Sequence, residues 1–268
     1  MTTVSGPATA GRQATASGAL RRVARLGWAV SGLLHLLIGW LALQTAFGGG
    51  GGSADQSGAL SQIASQPFGE VVLWAGVAGF ASLGLLYLSQ AVWSGRGAGE
   101  RVKNAAKGAV YLALGWTTAS FAIGSGSSSS QQSSDVTAKL MELPAGRLVV
   151  AAVGLVVIGV GGYHVVKGAK KKFLEDLVGG TTGGVGKAVV RLGQVGYMAK
   201  GAALAVVGAL FLLAAWQADP SEATGLDGAL QALRDQPFGV PLLVVVAVGL
   251  AAYGLYSFAR ARYGTLRG

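Results

Sequence analysis

Long uncharged stretches alternate with shorter charged segments along most of this 268-residue chain. Nearly every uncharged stretch approaches or exceeds the roughly 20 residues that an α-helix needs to cross a hydrocarbon core of about 30 Å. The pattern predicts an all-α, polytopic membrane protein with six transmembrane helices. The predicted spans are Gly27–Phe47, Val71–Gly95, Gly108–Gly124, Leu148–Val166, Gly201–Ala218 and Phe238–Ala259.

Composition agrees with this prediction and excludes several kinds of chemistry. Hydrophobic residues make up 51% of the chain and charged residues 12%, a balance that soluble domains rarely show. The sequence contains no Cys, so it offers no disulfide, thiolate metal ligand or thiol nucleophile. We expect neither a metal nor a cofactor.

The sequence repeats itself along the chain. A shift of 170 residues aligns Gln66-Pro67-Phe68-Gly69 with Gln236-Pro237-Phe238-Gly239. A shift of 77 residues finds a fainter middle copy, in which Pro144-Ala145-Gly146 replaces Pro-Phe-Gly. The first helices of the three copies correspond at residues 31–35, 107–111 and 200–204. The chain is therefore predicted to consist of three tandem two-helix repeats.

These repeats divide the chain into four segments. We predict a disordered cytoplasmic tail at residues 1–21, repeat 1 at 22–104, repeat 2 with a basic cytoplasmic linker at 105–188, and repeat 3 at 189–268. Because each repeat holds an even number of spans, all copies insert in the same orientation. Their symmetry is then expected to be pseudo-threefold about the membrane normal.

The basic residues predict the orientation of the protein in the membrane. Eighteen of the 21 Lys and Arg residues precede the first span, follow the last, or lie between spans two and three or four and five. Basic residues are retained on the cytoplasmic side, so both termini are predicted to be cytoplasmic. The net charge of +10 is thus a topology signal, and we expect no nucleic-acid partner.

The Gln-Pro-Phe-Gly motif marks the start of the second helix in repeats 1 and 3. Pro is tolerated in the first helical turn, an aromatic residue suits the membrane interface, and Gly lets the outer segment turn close to the bundle. A role in gating or partner binding is the alternative interpretation. The motif residues are Pro67, Phe68, Gly69, Pro237, Phe238 and Gly239.

The outer connections carry two further patterns. Apolar residues three apart, Leu60 with Ile63 and Leu230 with Leu233, predict short amphipathic helices whose apolar edge faces lipid or the bundle. The Ser-rich run at 125–134 predicts a flexible spacer.

Polar groups inside the predicted spans are the first candidates for a functional site, because burying them in hydrocarbon is costly. His35 lies about 12 Å into the first span, and Tyr111 occupies the equivalent position in repeat 2. His164 is shallower, which makes a two-His haem site awkward. His35 serves either as a packing residue bonded to a neighbouring span or as a ligand or proton relay. The candidate intramembrane polar site is His35, Tyr111, Gln44 and His164.

The linker after the fourth span is predicted to contact lipid. Lys170, Lys171 and Lys172 would lie beside an anionic leaflet, with Phe173 inserted at the headgroup level. Lys200, one residue before an uncharged span, is expected to snorkel to the same interface. The predicted partners are therefore membrane lipids, anionic at the cytoplasmic face, together with a membrane protein.

The three-unit pattern resembles the bacterial membrane proteins of domain-of-unknown-function family 1206. Four features carry the resemblance: a first helix rich in small residues, a Gly-Ala-Leu segment at residues 58–60, the Pro-Phe-Gly turn, and a Gly-rich second helix that ends in aromatic residues and a base, as at Tyr253 to Tyr256 before Arg260. It covers nearly everything after residue 22, although the middle repeat lacks the Gly-Ala-Leu segment and the Phe of the turn. The resemblance implies a six-span protein of the bacterial inner membrane and supplies no catalytic residues to carry over.

These observations favour a non-enzymatic scaffold or accessory subunit of a membrane assembly. The alternative is a small-molecule or ion transporter with a site between the repeats. A transporter predicts that His35, Tyr111 or Gln44 lines a polar interior rather than facing lipid. An enzyme acting on lipid would need convergent carboxylates or His residues, for which the sequence gives no pattern.

Overall fold

The computed structural model describes residues 7–49, 52–93, 97–178 and 186–265. Regular structure in these residues is helical, apart from an isolated bridge between Leu177 and Gly264. Short 3-10 helices occupy Lys172–Asp176 and Pro220–Glu222. The α-helices are α1 (Pro7–Ala46), α2 (Gln56–Ala64), α3 (Gly69–Trp93), α4 (Ala98–Ala122), α5 (Ser129–Met141), α6 (Gly146–Ala169), α7 (Lys187–Gln217), α8 (Gly225–Arg234) and α9 (Gly239–Tyr263).

Five helices in the described residues are long and apolar enough to cross a membrane, which makes this a multi-pass membrane protein. The third predicted span corresponds to α4, which is not among the five. Its first ten residues include Glu100, Arg101, Lys103 and Lys107, and these charges shorten its apolar stretch. The five candidate spans are Gly18–Ala46, Gly69–Val92, Gly146–Ala169, Lys187–Gln217 and Gly239–Tyr263.

The first helix begins earlier than the charge pattern predicts. Backbone from Pro7 is helical, whereas residues 1–21 were expected to be a disordered tail. The segment is rich in Ala, and Ala has the highest helix propensity of any residue. Residues 1–6 lie outside the described part of the chain.

The long helices pack side by side in one continuous order. Contacts run from α4 to α3, then to α1, α9, α7 and α6. In the described chain, α4 and α6 stand at the two ends of this order and have no extensive contact with each other. The bundle therefore has an open side between α4 and α6.

Three glycine pairs at equivalent positions of the repeats lie at close helix contacts. A Cβ at Gly84 would lie 3.2 Å from the Gly108 carbonyl oxygen. Equivalent distances are 2.7 Å from Gly161 to Gly201 and 2.7 Å from Gly254 to Gly32. Only a residue without a side chain lets backbones approach this closely. The pairs join α3 to α4, α6 to α7 and α9 to α1.

The short helices α2, α5 and α8 lie together at one end of the bundle, which we call the cap end. Leu60 of α2 and Leu230 of α8 are buried, so the bundle rather than lipid covers their apolar edge. The spacer predicted at 125–134 is wrong from Ser129 onward, because α5 begins there. Its N-cap is Ser128, whose side chain accepts a hydrogen bond from the Gln131 backbone N–H.

A tight turn precedes each second helix at the cap end. The Gly69 N–H donates to the Gln66 carbonyl at 2.9 Å, and Phe68 has φ +65°. With Pro fixed at negative φ, this is a type II turn, whose third residue requires positive φ. The turn recurs at Phe238 (φ +61°) and, in repeat 2, at Ala145 (φ +61°).

The position of Pro in this turn differs from the predicted one. Pro67 lies two residues before Gly69, the first residue of α3, rather than in the first helical turn. Phe68 and Phe238 are 83% and 85% exposed. A Cβ at Gly69 would overlap the Ile63 carbonyl oxygen, so this Gly permits the preceding helix to end against α3.

Candidate functional site

Four basic side chains, each from a different helix, lie over aromatic rings of neighbouring helices. These contacts are at the end of the bundle opposite the cap end. The Lys107 Nζ lies 5.1 Å from the Tyr87 ring centroid, and the Lys167 Nζ lies 5.2 Å from that of Tyr197. Each cation gains from the negative face of the ring below it. The other two pairs are Lys200 over Tyr253 at 4.3 Å and Arg260 over Trp28 at 4.7 Å. We call these eight residues the basic aromatic cluster, and the end of the bundle that holds them the basic end.

His35 lies inside the bundle, between the first and third repeats. Its Nδ1 is 2.7 Å from the Ser31 carbonyl oxygen, and its Nε2 is 3.2 Å from the Lys200 Nζ. Because the Ser31 carbonyl must accept, Nδ1 carries the proton and Nε2 accepts from the ammonium. The imidazole also packs on Tyr253, with ring centroids 4.7 Å apart. Lys200 therefore points into the bundle and does not snorkel to the interface as expected.

Tyr111 also lies between helices. Its ring stacks on Tyr87 of α3, with centroids 5.6 Å apart and planes 4° apart. Lys107, one turn earlier on α4, lies over the same Tyr87 ring. Tyr111 is thus joined to the basic aromatic cluster through Tyr87.

His164 joins the cluster on the α6 side, but Gln44 does not. His164 stacks on Tyr197 at 5.7 Å between centroids, and Tyr197 packs edge-on against Tyr253 at 5.2 Å. Gln44 lies nine residues beyond His35 on α1, about 13 Å nearer the cap end. The structure therefore brings His35, Tyr111 and His164 to one cluster and leaves Gln44 apart from them.

The 3-10 helix that follows α6, Lys172–Asp176, covers one side of the basic aromatic cluster. Phe173 is fully buried against Tyr197 and Tyr256, and its carbonyl accepts from the Tyr256 hydroxyl at 3.3 Å. The prediction that Phe173 inserts among headgroups is therefore wrong, because the ring fills the space left by Gly193. The chain is fixed there by the Thr265 N–H, which donates to the Asp176 carbonyl at 2.9 Å.

Asp176 supplies negative charge to the cluster. Its carboxylate accepts from the Lys167 Nζ at 2.6 Å. Burial alone would raise the pKa of the Asp176 carboxyl, but Arg260 and Lys167 together outweigh burial and lower that pKa below its usual value. Asp176 is therefore ionised at neutral pH.

One carboxylate does not balance the cluster. In the described chain, Lys107, Lys200 and Arg260 have no carboxylate within 4.0 Å. The Arg260 Nε is buried with no hydrogen-bond partner among the described residues, and so is the Nδ2 of Asn104, one turn before Lys107. Buried cations and unpaired donors both cost free energy until an acceptor reaches them. The cluster is thus suited to an anion.

The remaining predicted residues of the basic end lie on the surface. Lys170, Lys171 and Lys172 are exposed, as a lipid-facing patch requires. Residues 179–185 of the predicted cytoplasmic linker lie outside the described part of the chain. No group of three His, Asp or Glu side chains within the described ranges could hold a metal ion.

Comparison with known proteins identifies the family. The family model described as Domain of Unknown Function (DUF1206) matches the chain three times, at residues 26–94, 102–171 and 195–264. The chain belongs to this family. It is also similar to the uncharacterized protein YxxB of Bacillus subtilis (strain 168), with 28% identity over 262 residues and 91% of each chain covered. No solved structure matches the chain.

The DUF1206 repeats explain where the cluster comes from. Lys107 and Lys200 occupy one repeat position, at which repeat 1 has Ser31. Lys167 and Arg260 occupy another, at which repeat 1 has Gln90. Reasoning from single spans missed Lys167 and Arg260, because both lie close to loops. Their shared repeat position was the signal that could have found them.

Proposed function

We propose that the chain crosses the membrane six times, with α4 as the sixth span, in a pseudo-threefold bundle. Support comes from the three glycine pairs, which lie at the same positions of each repeat. Each pair joins the first helix of one repeat to the second helix of the repeat before it, and α1 with α9 closes the series. The α3–α4 contact uses the same repeat positions as the α6–α7 contact, and both α6 and α7 are candidate spans.

The basic end is proposed to face the cytoplasm of a bacterial inner membrane, with both termini inside. The exposed Lys170, Lys171 and Lys172 lie at that end, and cytoplasmic loops carry an excess of basic residues. The Phe68 and Phe238 turns then lie at the outer face.

The function that the site supports best is binding of an anionic ligand within the bundle, as part of a transport process and without catalysis. One observation carries this proposal. Four cations from repeats 2 and 3 converge with His35 of repeat 1 on an interior that one carboxylate cannot neutralise. Intramembrane charge of this kind marks substrate or ion pathways in membrane proteins.

A scaffold or accessory subunit remains the second candidate. Large apolar side chains of α6, including Leu155 at 60% and Val156 at 65%, are exposed in the isolated chain. Either lipid or a helix of a partner protein would cover them. Purification in mild detergent with mass spectrometry of accompanying proteins tests this candidate, which requires a stoichiometric partner.

A thermal-unfolding screen tests ligand binding. Purified protein is heated with phosphate, citrate or neutral sucrose at constant ionic strength. An anion present at 100 times its Kd should stabilise the native state by about 2.7 kcal/mol. Lys200→Gln should abolish that stabilisation, because it removes a charge that faces the interior.

The matched control is Lys187→Gln, which changes an exposed lysine on the same helix. It should respond to anions as the unaltered protein does. Equal responses from both variants, or stabilisation by no anion at all, would contradict a soluble-anion site at the cluster.

A further inference from the structure

The open side of the bundle has charged and apolar parts at different depths. Lys107 on α4 and Lys167 on α6 stand on its two walls near the basic end, each over an aromatic ring of the neighbouring helix. Both lysines are partly exposed, and because the Lys167 Nζ contacts the Asp176 carboxylate at 2.6 Å, an anion at Lys167 would share that ammonium with Asp176. The opening therefore presents positive charge at the depth where lipid headgroups meet the hydrocarbon.

Further toward the cap end, the same opening becomes apolar. A cavity of about 420 Å³ lies there between α4, α5, α6 and α7. Most of its exposed surface comes from Val136, Leu140, Val150, Val153 and Phe211, beside polar side chains of α4 and α5 such as Thr117 and Gln132. Val153 lies fourteen residues from Lys167 on α6, or about 21 Å. This separation exceeds half of a hydrocarbon core of about 30 Å, so the cavity lies past the bilayer midplane, where the end of an extended acyl chain from the basic end would reach it.

Charge at one end and an apolar cavity at the other match an amphipathic anion. A soluble phosphate would satisfy the lysines and leave the cavity without an apolar occupant. A zwitterionic lipid would fill the cavity and bring a cation toward Lys107 and Lys167. An anionic phospholipid satisfies both parts.

We propose that the opening between α4 and α6 binds one anionic phospholipid, with its phosphate at Lys107, Lys167 and Arg260 and an acyl chain directed toward the cavity at Val150 and Val153. The proposal rests on the proposed function, since it names the ligand class of the same cluster. Entry from the bilayer through the open side requires no separation of packed helices. The exposed patch at Lys170–Lys172 meets many lipids in turn, whereas this site holds one.

Native mass spectrometry of the protein from nanodiscs tests the proposal. The nanodiscs contain phosphatidylglycerol and phosphatidylcholine in equal amounts. The protein should retain one phosphatidylglycerol in preference to phosphatidylcholine. Lys107→Gln with Lys167→Gln should lower the retained fraction about tenfold, because two charge-assisted contacts to phosphate are lost.

Two further variants separate the interior site from surface charge and from misfolding. Lys170→Gln with Lys172→Gln removes two exposed charges and should leave the retained phosphatidylglycerol unchanged. Lys107→Arg with Lys167→Arg keeps both charges and should restore retention. An equal loss in the Lys170/Lys172 variant, or equal retention of both lipids, overturns the proposal.

Soluble anions distinguish failure of this inference from failure of the proposed function. Stabilisation by inorganic phosphate without retained phosphatidylglycerol would overturn the lipid site and leave a soluble-anion site in place. Absence of both would overturn the lipid site and the ligand-binding function together.

Discussion

Single residues at the turns before the second helices carry conformational strain. Phe68 holds a left-handed backbone while its side chain is 83% exposed. A non-glycine residue pays about 1–2 kcal/mol for this conformation. Since few packing contacts compensate, the position favours an interaction of the exposed ring with the membrane interface.

Adjacent substitutions at this turn should have opposite effects. Phe68→Gly relieves the left-handed strain and should raise the free energy of unfolding by about 0.5–1 kcal/mol. Gly69→Ala should lower it by about 2 kcal/mol, because the added Cβ overlaps the Ile63 carbonyl oxygen. Unfolding by SDS titration, followed by circular dichroism, measures both. A destabilising Phe68→Gly would show that the ring packs in detergent as well.

At the cap end, two acidic residues approach each other. Asp227 accepts from the Ala54 N–H at 2.6 Å and from the Gln231 Nε2 at 2.8 Å. Burial, and to a smaller extent the Asp55 carboxylate, raises the pKa of Asp227 above its usual value despite the Ala54 bond. The folded state thus binds a proton here more tightly than the unfolded state does.

This shift makes stability depend on pH. A raised carboxyl pKa contributes stability at low pH that is lost as pH rises through the folded-state pKa. Asp227→Asn should remove that loss, so the variant gains stability relative to the unaltered protein as pH rises from the acidic range to neutrality. Thermal unfolding at a series of pH values measures the difference. Parallel curves for the two proteins would contradict the assignment to Asp227.

At the scale of helices, glycine pairs determine which faces meet. Gly161 and Gly162 are neighbours on α6 with opposite surroundings. A Cβ at Gly161 would lie 2.7 Å from the Gly201 carbonyl oxygen, whereas one at Gly162 would meet nothing within 4 Å. The two positions therefore form a matched pair for testing helix packing.

Gly161→Ala should destabilise the fold by about 1–3 kcal/mol, the usual range for overpacking a close contact. Gly162→Ala should be neutral or slightly stabilising, because Ala favours helix over Gly. The SDS titration used for Phe68 compares them. Equal effects at the two positions would contradict the α6–α7 contact.

The apolar stretches predicted five candidate spans correctly, and the repeat predicted the family. Neither pattern predicted α5, because its sequence from Ser129 is polar and its helix depends on packing at the cap end. They also misplaced Phe173, because a single aromatic residue beside three lysines is typical of the membrane interface. Its burial depends on Gly193 of a helix that begins fourteen residues later, which local pattern cannot show.

The candidate site, too, was predictable from the sequence only in part. The depth of His35 in an uncharged span indicated an interior polar group, and the structure gives it Lys200 and Tyr253 as neighbours. Its place one residue before an uncharged span suggested that Lys200 would turn outward. Its inward direction is decided by helix crossing, which places Tyr253 4.3 Å from its ammonium group.

For the whole molecule, orientation in the membrane follows from the separation of the basic and cap ends. The natural chain contains no Cys, so single-cysteine variants report one position each. Glu142→Cys at the cap end should react with an impermeant maleimide in intact cells. Lys170→Cys at the basic end should react only after the membrane is permeabilised. The reverse pattern would place the basic end outside.

We propose that all three repeats contribute to one anion-binding cluster inside the bundle. An experimental map of the protein in a lipid bilayer, resolved to side chains, tests it most directly. We expect Lys107, Lys167, Lys200 and Arg260 to be turned inward, with non-protein density beside Lys107 and Lys167. A map in which these side chains point to the membrane surface, or pack together with no such density, would contradict it.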